Sequence, residues 1–233
     1  MGNVENSGWS TASQQQTVAF GVPIAEAIVE AVRRLSMRRV AVVTTNSLSG
    51  PGGLAEAVVK VLGSKFQSIV SGIHPHTPRE DVIRVAKALD GIDGVVTIGG
   101  GSVCDSVKAA RLCLANGISD PVGMDRLRPY HKGRDSEPDE TRSPTLPFIA
   151  VPTTLSAGEF TSAAGVTDER GPLKQVFVYP RLSPDIVILD PEMTKQTPHR
   201  LFFSTGLRAV DHAVETWIPL SQNTRGSPCS SST

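Results

Sequence analysis

Three side chains that could take part in chemistry lie close together in "TGLRAVDHAVE", residues 205–215. His212 and Glu215 are three residues apart, and Arg208 and His212 are four apart, so a helix would place all three on one face. Asp211 would point roughly 100° away from His212 and could not bind the same ion. On such a face an imidazole can donate a proton and a guanidinium can bind an oxyanion. A packing or surface role for His212, or a structural ion pair between Arg208 and Glu215, is the alternative at this stage.

Three consecutive glycines follow an apolar strand and open a helix in "TIGGGS", residues 97–102. Glycine allows backbone N–H groups to approach a diphosphate closely, and a helix N-terminus contributes partial positive charge. The pattern is not G-x-G-x-x-G, so the ordinary dinucleotide fingerprint is absent. Taken alone, the turn fits phosphate binding and a ligand-free strand-to-helix turn equally well.

A second polar stretch, "VPTTLSAGEFTSAAG" at residues 151–165, follows another apolar strand and carries five hydroxyl side chains among small residues. Hydroxyl groups in such a loop can bind ribose, phosphate or an amide. An ordinary polar loop is the alternative, but two such loops after neighbouring strands favour a ligand site.

Apolar strands alternate with amphipathic helices through the first 154 residues. The predicted helices cover 24–35, 52–63, 77–90 and 103–117, and the predicted strands cover 38–45, 66–72, 93–99 and 146–154. Four alternations are typical of the α/β class, a Rossmann-like parallel sheet wrapped by helices, which binds ligands at the carboxyl ends of its strands. Both polar turns fall at those ends. For helix 77–90 we expect Thr77 as the N-cap and Pro78 at the first helical position.

Changes in amino-acid composition along the chain predict its domain boundaries. We expect a flexible arm over 1–17, an α/β domain over 18–190, the start of an all-helical domain over 191–220 and a disordered tail over 221–233. Two further strands are predicted at 174–180 and 184–191, and a long charged, proline-rich loop at 119–145.

Composition excludes several classes of function. The formal net charge is zero, which gives no electrostatic reason to expect nucleic acid or an anionic membrane as a partner. No apolar run of about 18 residues or secretory signal is visible. The chain has three cysteines, and this small odd number predicts a reduced, cytoplasmic protein. One of them, Cys104, lies near a helix N-terminus, where a thiol pKa could fall.

Taken together, these motifs resemble the iron-containing alcohol dehydrogenase family, within the dehydroquinate-synthase-like fold group. The resemblance runs from about Phe20 to Trp217 and rests on the order and spacing of "GGGSVCDSVKA", "VPTTLSAGEFT", "GPLK", "PDIVILDPEMT" and "STGLRAVDHAVE". It implies that NAD or NADP binds in a cleft between an α/β domain and a helical domain.

The resemblance also implies roles for individual residues. It assigns diphosphate contacts to residues 99–102, called the glycine turn below. It assigns further cofactor contacts to Thr153 and Thr154, and a contact near the ribose to Lys174. Many members that prefer NAD carry an Asp after the first strand, where this chain has Thr45, and loss of that carboxylate makes NADP acceptable. The expected cofactor-binding residues are Thr45, Gly99, Gly100, Gly101, Ser102, Thr153, Thr154 and Lys174.

Three departures from the family pattern bear on chemistry. Members that bind iron or zinc have an Asp four residues before the His of the helix; here that position is Arg208, which cannot ligate a cation. The loop after Thr154 is one residue shorter than in metal-dependent members. In both respects the chain is more similar to the maleylacetate reductases, which act without metal. Full-length members also continue for well over a hundred residues, so we interpret this chain as C-terminally truncated.

The resemblance therefore predicts an NAD(P)-dependent oxidoreductase that uses Arg208 and His212 as catalytic residues, without metal, on a small carbonyl, alcohol or keto-acid substrate. We expect neither nucleic acid nor membrane as partners, and a homodimer is an open option. One alternative is a truncated, non-catalytic dinucleotide-binding homologue, and another is a metal-dependent alcohol dehydrogenase. A lyase resembling dehydroquinate synthase is disfavoured, because its "GGK" phosphate loop is absent.

Overall fold

The computed structural model describes residues 8–13, 16–127, 141–171 and 174–217, without the side chains of 8–13, His212, Thr216 and Trp217. The strands are β1 Gly8–Ser13, β2 Gln16–Phe20, β3 Val40–Thr44, β4 Phe66–Val70, β5 Gly94–Gly99, β6 Phe148–Pro152, β7 Ala163–Thr167, β8 Lys174–Val178 and β9 Ile186–Leu189. The α-helices are α1 Ile24–Arg34, α2 Asn46–Ser49, α3 Leu54–Leu62, α4 Arg79–Ala88, α5 Gly101–Ala115 and α6 His199–Trp217. Short 3-10 helices cover Gly63–Lys65, Gly123–Leu127, Gly158–Phe160 and Pro191–Thr194.

Seven strands form the main sheet in the order β1-β2-β9-β6-β5-β3-β4. β1 runs antiparallel to β2, and every other neighbouring pair is parallel. The predicted α/β class with a parallel sheet is confirmed. The flexible arm predicted over 1–17 is wrong for Gly8–Ser13 and for Gln16 and Thr17, which belong to paired strands. Their backbone groups pair across the edge of the sheet, a constraint that the polar side chains of this segment do not reveal.

Apolar residues cover both faces of the sheet. One cluster packs α1 and α3 against it, and the other packs α4 and α5 against the opposite face. α1 follows its sequence pattern, since Ala27, Ile28, Ala31 and Val32 are buried at helical spacing. All five residues of β3 are buried, as expected for a strand covered on both faces. Burial of each Val or Ile side chain contributes about 1.5–3 kcal/mol.

Helix α4 begins differently from the prediction. It starts at Arg79 with Pro78 as the N-cap residue, and no side chain caps it. Thr77 instead adopts a left-handed backbone (φ 58°) and donates its hydroxyl proton to the carbonyl of Ser102 at 3.2 Å. The predicted N-cap is therefore wrong, because a long-range contact uses the Thr77 hydroxyl.

A separate antiparallel hairpin, β7–β8, lies outside the main sheet. The sequence predicted a polar loop through residue 165 and a strand at 174–180. The first strand of the hairpin was missed because "AAGVT" lacks the bulky residues that mark strands.

Helix α6 leaves large apolar side chains exposed, and no helix of the described residues is long and apolar enough to cross a membrane. The exposed apolar residues of α6 are Leu201, Phe203, Leu207, Val210 and Val214. The helix predicted after residue 191 is present, whereas its assignment to a second domain stays a prediction. Of the predicted loop 119–145, residues 128–140 lie outside the described part, as does the predicted tail over 221–233.

Candidate functional site

Three of the predicted cofactor contacts meet at one edge of the main sheet. β6, β5 and β3 are neighbours in that order, and Thr153, Gly99 and Thr45 lie at or just beyond their carboxyl ends. Parallel strands bring these ends to one edge because they all point the same way. Lys174 begins β8 in the separate hairpin, and Arg208 and His212 lie on α6.

The glycine turn packs tightly against the polar loop after β6, which begins with Thr153 and Thr154 and is called the threonine loop below. Gly99 has φ +156°, and a β-carbon there would lie 2.7 Å from Val103 Cγ2. A β-carbon on Gly100 would lie 3.0 Å from the Thr154 hydroxyl oxygen. The N–H of Thr153 donates to the Gly99 carbonyl at 3.0 Å. Part of the requirement for glycine therefore comes from the protein itself, because the two loops could not approach so closely with side chains between them.

The N-terminus of α5 retains free hydrogen-bond donors. The N–H groups of Val103 and Cys104 donate to the Gly100 carbonyl. For the N–H groups of Gly101 and Ser102, the described part of the chain provides no recorded acceptor. Since α5 is 15 residues long, these donors and the helix dipole form a favourable position for an anion.

The hydroxyl group of Ser102 is oriented by the neighbouring loop. The N–H of His76 donates to Ser102 Oγ at 3.1 Å, and His76 has a left-handed backbone with φ 66°. Because the oxygen accepts this bond, the Ser102 hydroxyl proton stays available for another acceptor. The His76 side chain is exposed, and its backbone N–H orients Ser102.

The two threonines and Thr45 occupy different environments. Thr153 and Thr154 are buried, and the hydroxyl of Thr197 donates to the Thr153 carbonyl at 2.6 Å. Thr45 is half-buried, and its hydroxyl lies 3.0 Å from that of Ser47. The chain directly after β3 therefore presents hydroxyl groups and no carboxylate.

A buried lysine, which the sequence analysis did not single out, fixes the polar loop after β6 to helix α5. Lys108 has no exposed side-chain surface and donates to the carbonyl oxygens of Gly158, Thr161 and Ala163. In the same loop, burial raises the pKa of Glu159 above its usual value. The sequence signal that could have revealed this buried lysine is its position four residues after Cys104, on the helix face that packs inward.

Helix α6 touches the threonine loop through the side that carries the predicted catalytic pair. The N–H of Leu155 donates to Thr205 Oγ1 at 3.1 Å. Thr205 and His212 lie only about 20° apart around a regular helix, and Arg208 lies about 60° to one side. The Arg208 side chain is exposed, and within the described side chains it has no recorded ion pair with Glu215. The side chain of His212 lies outside the described set.

A reactive role for Cys104 is excluded by its environment. The thiol is buried, and burial raises its pKa to about 12. A thiol with so high a pKa carries almost no thiolate near neutral pH, so the expectation of a lowered pKa is wrong. Desolvation of the thiol in the apolar core outweighs the helix dipole here.

Sequence comparisons identify relatives along most of the chain. A family model described as iron-containing alcohol dehydrogenase matches residues 15–191. Dehydrogenase FUM7 of Gibberella moniliformis (strain M3125 / FGSC 7600) is 38% identical over 208 residues, which make up 85% of this chain and 48% of that protein. Maleylacetate reductase of Rhizobium sp. (strain MTP-10005) is 30% identical over 200 residues, which make up 85% of this chain and 47% of that protein. The chain thus spans about half the length of the relatives it matches.

Solved structures share the fold. The structure of maleylacetate reductase from Rhizobium sp. strain MTP-10005 matches with a TM-score of 0.65 and 28% identity, covering 90% of this chain and 50% of that chain. Sulfoacetaldehyde reductase from Bifidobacterium kashiwanohense, solved in complex with NAD+, matches with a TM-score of 0.74 and 24% identity, covering 89% of this chain and 52% of that chain.

Proposed function

Because the chain belongs to the iron-containing alcohol dehydrogenase family, we propose that it carries the cofactor-binding part of an NAD(P)-dependent oxidoreductase. The observation that carries this proposal is the meeting of the glycine turn, the threonine loop and α6 at one edge of the sheet. Such an enzyme transfers hydride between the nicotinamide ring and a carbonyl or alcohol carbon.

The residues present fit a dinucleotide. The free N–H groups of Gly101 and Ser102 and the Ser102 hydroxyl would bind the diphosphate, with Gly99 and Gly100 keeping the turn narrow. Thr153 and Thr154 would contact the cofactor from the adjacent loop, and Lys174 would bind near a ribose. The bound dinucleotide supplies the hydride donor or acceptor.

We assign the choice between NAD and NADP to Thr45. Its hydroxyl group and that of Ser47 occupy the end of β3, where a carboxylate would repel a 2′-phosphate. Without that repulsion, NADPH is accepted alongside NADH.

At the substrate side, Arg208 would replace the positive charge that a metal supplies in other members. A guanidinium group forms bidentate hydrogen bonds with carboxylate and keto-acid oxygens, which favours an acidic substrate over a plain alcohol. His212 would donate a proton to the developing oxyanion or carbanion. The similarity to maleylacetate reductase agrees with an acidic substrate.

Two alternatives lead to different results in solution. A non-catalytic homologue would bind dinucleotide and turn over no substrate. A metal-dependent alcohol dehydrogenase would need zinc or ferrous iron for activity, although Arg208 would repel the cation.

The deciding experiment is a fluorescence titration of the purified chain with NADH and NADPH, with and without added zinc or ferrous iron. We expect saturable binding that is independent of metal, followed by metal-free reduction of keto acids. Binding without turnover of any keto acid, alcohol or aldehyde would support the non-catalytic alternative, and turnover only with metal would support the metal-dependent one. The absence of binding for both nucleotides would contradict all three.

A further inference from the structure

We propose that Asp105 is a positioning residue that holds the ammonium group of Lys174 beside the dinucleotide-binding turn. The proposal rests on the function proposed above, and it adds a residue for which the family resemblance gave no role. Four observations support it: the path of the Lys174 side chain, the absence of a side chain at Gly165, the anchoring of Asp105 by the Gly165 N–H, and the position of Asp105 about one turn after Gly101 on α5.

The Lys174 side chain crosses the hairpin toward α5. Lys174 pairs with Thr167 across the two strands, whereas its side chain lies diagonally over Gly165. A β-carbon on Gly165 would collide with Lys174 Cε and would lie 2.7 Å from Nζ. The lysine can therefore take this path only because residue 165 has no side chain.

Asp105 is hydrogen-bonded to β7 at Gly165, the residue over which the Lys174 side chain lies. Its Oδ2 accepts the N–H of Gly165 at 3.0 Å, and its Oδ1 lies 3.7 Å from Lys108 Nζ. Burial raises the pKa of Asp105 above its usual value, and the positive charges of Lys108 and Lys174 both oppose this rise. Of these two lysines, Lys108 is committed to backbone carbonyls, so Lys174 is the one that can reach a ligand.

The same carboxylate lies next to the glycine turn. Asp105 follows Gly101 by about one helical turn on α5. A β-carbon on Gly158 would lie 3.7 Å from Gly101 Cα and 4.0 Å from Asp105 Oδ1, so the three residues are neighbours. An ammonium held at Asp105 is therefore held near the proposed diphosphate position.

Positioning has a physical purpose here because lysine has a flexible four-carbon chain. Lys174 starts on an exposed strand position, and an unrestrained side chain would lose conformational entropy when it binds a ligand. Attraction to Asp105 and the groove at Gly165 restrict the chain before binding, which lowers that cost. The two ammonium groups of Lys174 and Lys108 outnumber the single carboxylate of Asp105, and the resulting net positive charge attracts an approaching anion.

A double-mutant cycle tests this coupling. Asp105→Asn removes the charge but keeps an oxygen that can accept the Gly165 N–H, and Lys174→Met removes the ammonium. We expect Lys174→Met to weaken NADH binding roughly 10- to 100-fold and Asp105→Asn to weaken it about 3- to 10-fold. The double variant should bind about as weakly as Lys174→Met alone, because Asp105 acts through Lys174. Asp105→Glu should recover part of the affinity.

A steric variant tests the same path without altering any charge. Gly165 lies outside the left-handed region, so Ala is compatible with its backbone. Gly165→Ala should weaken NADH binding in the wild type and have no further effect in the Lys174→Met,Asp105→Asn background. Gly171→Ala is the matched control in the hairpin turn, where a β-carbon meets nothing within 4 Å.

Asp93→Asn is the matched control for charge. Asp93 also accepts backbone N–H groups, from Arg38 and Arg39, but it precedes β5 at the opposite edge of the sheet. We expect this control to leave the NADH dissociation constant unchanged, and all variants should retain the wild-type circular dichroism spectrum.

The outcomes separate this inference from the proposed function. Additive losses for Asp105→Asn and Lys174→Met, with normal binding by the wild type, would overturn the positioning role and leave the function standing. A Gly165→Ala variant with wild-type affinity would overturn the proposed path of the lysine. If the wild type bound neither NADH nor NADPH, the inference and the function would fail together.

Discussion

The N–H of Leu155 donates to the hydroxyl of Thr205 across 3.1 Å, and this bond joins the threonine loop of the sheet to helix α6. A β-carbon on Gly206 would lie 3.2 Å from Leu155 Cδ1, so the helix also packs closely here. The contact holds α6 against the threonine loop at Thr205, about one turn before Arg208, and it is the geometric basis of the first two predictions.

Thr205→Val should loosen α6 from the loop. Valine keeps the shape of threonine but cannot accept the Leu155 N–H, so we expect a loss of about 1 kcal/mol in local stability. Hydrogen exchange of the Leu155 amide measures this directly and should accelerate about fivefold. Ser204→Ala at the neighbouring exposed position is the control, since the recorded bond of the Ser204 hydroxyl is to the Leu201 carbonyl within the same helix. Unchanged exchange at Leu155 in Thr205→Val would show that the hydrogen bond does not hold the helix.

Arg208→Asp should reduce metal-free turnover of a keto acid by at least about tenfold, because a carboxylate would repel the acidic substrate. Steady-state kinetics without metal, and with a chelator present, provides the measurement. Arg200→Asp makes the same charge change in the first turn of α6 and should have little effect. Faster metal-free turnover in Arg208→Asp would refute the role we give to the guanidinium.

Thr45→Asp should shift the preference between cofactors toward NADH. The new carboxylate would repel a 2′-phosphate and bind the ribose hydroxyls, so we expect the affinity for NADPH relative to NADH to fall about tenfold or more. Paired titrations with the two nucleotides measure this ratio. Ser64→Asp, which adds the same charge before β4 at the opposite edge, should leave the ratio unchanged. An equal loss for both nucleotides would place Thr45 away from the 2′ position.

The decrease in the free energy of unfolding at low pH should depend on Asp168. The hydrogen-bonded Arg170 guanidinium beside Asp168 holds the pKa of that carboxyl well below its usual range, although burial of the carboxyl opposes this lowering. A lowered folded-state pKa contributes stability that is complete above the unfolded pKa, about 4, and is lost as the pH falls toward the folded value.

Asp168→Asn should therefore be less stable than the wild type near pH 7, and the difference should shrink as the pH falls below about 4. Urea unfolding at a series of pH values gives the free energy of unfolding for both proteins. Asp90→Asn at an exposed position serves as the control. A difference that stays constant between pH 7 and pH 2 would show that the ion pair with Arg170 contributes nothing to the pH dependence.

Local periodicity was sufficient for most of the main sheet. The predicted helix 24–35 became α1 Ile24–Arg34, and the predicted strand 38–45 became β3 Val40–Thr44. These elements could be predicted because each one buries a continuous stripe or run of apolar residues, and that pattern lies within the element itself. The Gly63 at the end of α3 has φ 52°, as a glycine C-cap requires.

Elements that depend on distant contacts were predicted poorly. β7 has small residues, and it is held by its pairing with β8 and by the bond from Gly165 to Asp105, 60 residues earlier in the chain. Thr77 looked like an N-cap, but Ser102 accepts its hydroxyl proton. In both cases a hydrogen bond to a residue far away in the sequence decides the conformation, and a local pattern cannot show such a bond.

For the candidate site, the sequence by itself determined which strand ends carry the glycine turn and the threonine loop, because alternating strands and helices require a parallel sheet whose carboxyl ends share one edge. Only the tertiary structure decided how those groups are held. It showed that Cys104 is buried and unreactive, that Lys108 is committed to three carbonyl oxygens, and that Gly165 leaves room for Lys174. Burial, charge compensation and free space arise where separate segments meet, and they are therefore properties of the packed chain rather than of any one segment.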